Sequence, residues 1–152
     1  MYYLTLVTIH SVLRWIFLAF LLYSLVKASI GLIKRRRFTK VDNIIRSTVS
    51  ALSHTQLLVG FMLYFKSPFA LHFLKNTSEA MHMKDSLFFG LIHSVAMLIS
   101  VVLITIGASK AKHEVDDIQK HRVILFWFGI SLVIILLAIP WPFGPYVRRA
   151  FI

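Results

Sequence analysis

The sequence predicts an all-α integral membrane four-helix bundle with both termini on the outer side. Three observations carry that expectation. With 58% hydrophobic residues and only 6 Gly and 4 Pro in 152 positions, the chain is too apolar for an ordinary soluble domain and too short for several. Four stretches are long enough to cross a hydrocarbon core of ~30 Å, which takes ~20 apolar residues as helix. The basic residues favour the first and third loops between those stretches, an asymmetry that the positive-inside rule converts into orientation.

The spans are expected at Leu4 to Val26, Ser47 to Phe65, Leu87 to Ala108 and Val123 to Pro140, within a single transmembrane domain covering 1–152. The first is not expected to be a cleaved signal peptide, because no positive charge precedes it and its apolar run exceeds a signal core. Tyr2 and Tyr3 suit the headgroup boundary. Helix is expected to continue past Lys27, whose flexible stem carries its ammonium to the surface.

Lys34, Arg35, Arg36, Arg37, Lys40 and Arg46 fill the first loop, and Lys110, Lys112, Lys120 and Arg122 lie in or beside the third. Lys66, Lys75 and Lys84 in the second loop, with Arg148 and Arg149 in the tail, leave the other side poorer. The net charge of +11 therefore speaks for topology and contact with anionic lipid, and against a nucleic-acid partner. Asp42 is placed to cap the entry to the second span. That span's first half is unusually polar, with Ser47, Thr48, Ser50, Ser53, His54, Thr55 and Gln56. Close helix packing and interhelical hydrogen bonds account for most of these.

The outer loop from Lys66 to Asp85 holds Pro68, Phe69, Leu71, Phe73 and Leu74, enough for a short interfacial segment. Its Met81-His82-Met83 offers copper-type ligands, but three in a row do not converge easily, and an ordinary loop is expected. Glu114, Asp116, Asp117 and His113 in the third loop are expected to be solvated. Ile139-Pro140-Trp141-Pro142 should stop the last helix and place Trp141 at the outer boundary.

The chemistry-bearing residues are ionisable groups within the spans, which are costly in lipid and normally face the bundle interior. Ile9-His10-Ser11-Val12 is echoed by Ile92-His93-Ser94-Val95. At ~1.5 Å rise per residue, His10 and His93 both lie roughly 9 Å below the outer surface. Two facing imidazoles can hold a haem iron by its two axes. His54, roughly 10 Å from the opposite surface, and His121, at the boundary, form a second, less level pair for an inner haem. The bland alternative for each is a hydrogen bond across the bundle. Arg14 sits one turn below His10 on the same face. No Asp or Glu occurs in any span, so its partner must be a carbonyl, water, a lipid headgroup, another chain, a haem propionate or a quinone carbonyl. The chain has no cysteine, which excludes disulfides, thiolate-ligated haem, covalent c-type haem and cysteine-held clusters.

His10-Ser11, Leu13-Arg14-Trp15, His54 with Gln56-Leu57-Leu58 and Gly60, and Leu63-Tyr64-Phe65 form a familiar order. Together with Leu103-Ile104-Thr105-Ile106-Gly107, Lys120-His121 and Ile139-Pro140-Trp141-Pro142, they resemble small four-helix bacterial membrane proteins labelled cytochrome B. The resemblance covers most of the chain. It implies haem b in the bacterial inner membrane, and an electron-transfer protein rather than a catalyst in its own right. Members often carry an acidic residue and a proline beside the third-span histidine, where this chain has Ile92 and Ser94.

The leading expectation is thus a membrane b-type cytochrome subunit with one or two haems held by His10, His93, His54 and His121. Quinone, a larger membrane complex or a second copy of the chain are further partners. A cofactor-free accessory subunit of a larger complex is the alternative, and a proton path along the histidines a third.

Overall fold

The computed structural model describes residues 2–141, which form helices and connecting turns with no strand among them. Four long helices set the architecture: α1 (Tyr2–Ile33), α2 (Lys40–Tyr64), α6 (His93–His113) and α7 (Asp117–Ala138). Between α2 and α6 lie the short helices α3 (Pro68–Lys75), α4 (Thr77–Ala80) and α5 (Lys84–Leu87), then a π-helical turn, Phe88–Ile92. Three helical stretches are long and apolar enough to cross a membrane: Tyr2–Ile33, Lys84–His113 and Asp117–Ala138. A fourth is added if α2 and α3, bent by 66° at their junction, count as one broken span.

The long helices pack in a ring in which α1 touches α2 and α7, and α6 touches the same two. Helices α1 and α6 therefore stand on one diagonal, and α2 and α7 on the other. Each contributes one fully buried apolar side chain to the centre: Leu21, Val49, Ile104 and Phe128. About one turn from each sits a buried serine, Ser24, Ser53, Ser100 or Ser131, small enough to let backbones approach. Ser53, Ser100 and Ser131 donate their hydroxyls to carbonyls within their own helices, so no polar atom of theirs is stranded. The opposite faces stay apolar and exposed, as at Leu58, Val102, Val133 and Leu137. That pattern suits helices whose outer surface meets lipid.

The helices run past the expected spans at the basic end, and their caps explain where they stop. Thr39, not Asp42, is the N-cap of α2. Thr39 Oγ1 accepts from Asp42 N at 3.3 Å while Asp42 Oδ2 accepts from Thr39 N at 2.8 Å, the reciprocal arrangement of a capping box. Asp116 is likewise a cap and not merely solvated: its Oδ1 accepts from Gln119 N at 2.7 Å and starts α7. Asp117 pairs with Lys120 at 3.2 Å. Lys27 does not run free to the surface but meets Asp42 at 3.1 Å, beside Arg36 at 3.0 Å.

At the opposite end α7 finishes at Ala138 and Pro140 comes two residues later. Trp141 donates Nε1–H to Leu136 O at 2.9 Å and meets Trp15 edge-on, ring centres 6.5 Å apart. Pro142, Arg148 and Arg149 lie outside the described residues. The expected interfacial segment takes the form of α3 to α5, with Phe69 stacked on Phe89 at 5.7 Å.

Candidate functional site

His10 lies on the half of α1 that faces α2. Its ring rests against the bare Cα of Gly60, where an added methyl carbon would touch His10 Cε1 at 3.4 Å. Gln56, one turn from Gly60, donates Nε2–H to the His10 backbone carbonyl at 3.0 Å and lies 3.2 Å from His10 Nε2. His10 Nδ1 and Gln56 Oε1 are both buried without a hydrogen-bond partner among the described residues.

His93 begins α6 directly after the π turn. One extra residue in a helical turn rotates the helix beyond it and leaves a carbonyl without its usual partner, and such turns cluster at functional sites. Here Gly90 O accepts from Tyr64 Oη at 2.9 Å. Gly90 is also where Phe73 of α3 packs, so closely that a Cβ would overlap its ring. His93 Nδ1 lies 2.7 Å from Ala138 O. A carbonyl can only accept, so Nδ1 carries the proton and Nε2 keeps its lone pair, the form an imidazole needs to bind a metal. Phe88 and Phe89 flank the ring at 5.9 and 6.3 Å.

His10 and His93 stand on α1 and α6, the two helices of one diagonal, and Arg14 lies one turn from His10 on α1. Arg14 Nε is buried without a hydrogen-bond partner among the described residues, and its guanidinium carbon lies 5.3 Å from the Trp15 ring centre. Two imidazoles and a guanidinium, with buried polar atoms on His10 and Arg14 that lack partners among the described residues, are donor types that could hold a haem and its carboxylates.

His54 and His121 have partners on different flanks. His54 is exposed, with Nδ1 at 2.7 Å from Ser50 O and Nε2 at 3.3 Å from Thr105 Oγ1 of α6. His121 is fully buried, its Nε2–H donating to Arg36 O at 3.2 Å and its ring packed on Gly31 and against Phe38 at 5.1 Å. The contacts engage these two rings separately, one toward α6 and the other toward α1.

Met81, His82 and Met83 are exposed in the turn between α4 and α5. Among the described residues no group of three or more His, Cys, Asp or Glu side chains converges as a metal site; an axial pair requires only two. His72 of α3 buries an unpartnered Nε2, and nothing in its sequence context sets it apart. Gln56 and the π turn also shape the site. Gln56 enters the sequence reading as one of several polar residues and as part of the resemblance, with no role of its own, and the π turn has no signal beyond the glycine of Phe88-Phe89-Gly90.

The described residues form an α-helical bundle with three to four stretches long and apolar enough to cross a membrane, and with His10, Arg14 and His93 half-buried on α1 and α6. No family model, curated protein or solved structure matches the chain.

Proposed function

We propose that the chain is a haem-binding membrane subunit that passes electrons within or across the bilayer, with His10 and His93 as the axial ligands. The observation that carries this reading is a half-buried imidazole on each of two diagonally opposed helices, with buried polar atoms on His10 and Arg14 that have no hydrogen-bond partner among the described residues. When bound, haem b would supply the one-electron chemistry. The chain's residues would hold and surround it. His93 offers Nε2 because Ala138 O fixes its tautomer. His10 is held at its backbone by Gln56. Arg14 offers a cation for carboxylates or for a quinone carbonyl, while Phe88 and Phe89 exclude water on the His93 side. A second, inner haem on His54 and His121 is left out of the proposal, because their contacts lie on different flanks. The basic loops at one end support, under the positive-inside rule, an orientation with both termini outside, here proposed for a bacterial inner membrane.

The test is the absorption spectrum of protein purified from cells supplied with haem. A Soret band and sharp reduced bands are expected. His10→Ala and His93→Ala should each abolish or severely broaden them, while His54→Ala leaves them in place. A colourless wild-type protein under the same supply defeats the proposal.

One observation favours a second reading, a cofactor-free accessory subunit. His93 already has a protein partner in Ala138, and His10 Nε2 lies 3.2 Å from Gln56. Stable copurification with a larger membrane complex and no chromophore is its expected signature.

A further inference from the structure

The basic end of the bundle holds a groove that the histidine pair does not use. It lies where the start of α2, the end of α6 and the start of α7 meet, and has a volume of about 450 Å3. Three lysines line it, Lys40, Lys112 and Lys120, one from each of those helices or the turn beside it. No carboxylate among the described residues lines it. Asp117 pairs with Lys120 at 3.2 Å, which leaves the ammonium groups of Lys40 and Lys112 to set the local potential.

The polar wall adds a directed donor. Asn43 Oδ1 accepts from Arg46 Nε and Nη2 at 3.1 and 2.9 Å, so its carbonyl is occupied and its amide hydrogens remain for a ligand. Arg46 Nη1 also donates to Ala108 O at 2.8 Å, pinning α2 to α6 beneath the groove. An anion is therefore met by fixed neighbours and not only by loose side chains.

The remaining lining residues are mostly apolar, among them Phe38 and Ile44. Ile44 is 61% exposed and lies one turn along α2 from Lys40, in the direction of the apolar part of that helix. The groove is thus cationic toward the end of the bundle and apolar toward its middle.

We infer that this groove binds the phosphoryl headgroup of an anionic phospholipid, with an acyl chain lying along α2 past Ile44. The charge selects an anion, and the continuation onto exposed apolar surface selects a lipid over a free phosphate. The inference rests on the membrane reading of the bundle and is independent of haem.

The full chain reconstituted in phosphatidylcholine vesicles is titrated with spin-labelled phosphatidylglycerol, and the immobilised lipid signal is read. Wild type should prefer the labelled phosphatidylglycerol to labelled phosphatidylcholine. The triple substitution Lys40→Gln, Lys112→Gln and Lys120→Gln should weaken that preference by about tenfold or more. The corresponding triple change to Arg should retain it. A loop control of equal charge loss, Lys34→Gln, Arg35→Gln and Arg37→Gln, should also retain most of it, with helicity unchanged in all three variants. An unaltered preference in the groove variant overturns the inference. So does an equal loss in the loop control, which assigns the effect to diffuse surface charge, or displacement of the label by millimolar inorganic phosphate, which assigns the groove to a soluble anion.

Discussion

Asp42 shows how much one side chain can organise. Its carboxylate accepts from the Thr39 backbone and hydroxyl and pairs with Lys27 of α1 and with Arg36 of the connecting turn. One buried anion thus starts α2 and ties it to α1. Removing one partner of a largely buried ion pair costs ~3 kcal/mol. Asp42→Asn is therefore expected to lower the midpoint of thermal helix loss in detergent by several degrees. Asp117→Asn, whose pair with Lys120 is more exposed, should leave that midpoint almost unchanged. The sequence reveals a helix start near Asp42 because Asp and Thr are capping residues. It does not reveal Lys27 as the partner, because that contact depends on how α1 and α2 lie against each other. The histidines divide in the same way. Their number and depth come from numbering, but His93 Nδ1 on Ala138 O joins α6 to the end of α7, and no local pattern contains that pairing.

At the scale of elements, the π turn before His93 is the least legible feature and sets where α6 begins. Phe88–Ile92 takes a wider turn than the helices on either side, so side chains after it point in a direction an uninterrupted helix would not give. Tyr64 holds the turn by its Gly90 carbonyl, and Phe73 of α3 packs on the space where Gly90 has no side chain. Gly90→Ala must push Phe73 and α3 away, a strain of about 1–3 kcal/mol. The expected outcome is faster proteolysis between α3 and α5 and an earlier thermal transition. If the haem reading holds, the spectrum of the His93-ligated iron should shift too. Unchanged proteolysis would mean that α3 does not depend on this contact.

At the scale of the whole molecule, the ring order places α1 and α6 on one diagonal, so His10 and His93, 83 positions apart in the chain, stand on opposed helices. The proposed topology has a direct test, since the chain lacks cysteine. In intact cells Glu79→Cys, in the short helix α4, should react with a membrane-impermeant maleimide, while Lys112→Cys should react only after permeabilisation. The opposite labelling would invert the orientation. Hydropathy alone gives the helical class, the number of long helices and their approximate ends, because these are sums over local composition along each segment. The chain also fixes which ionisable residues lie deep in those segments and at what level, since depth is residue number multiplied by a constant rise. Tertiary structure decides which way each ring faces. Successive residues turn by ~100° about a helix axis, so a small rotation set by neighbouring helices separates His54, turned out toward Thr105, from His10, turned in toward Gln56.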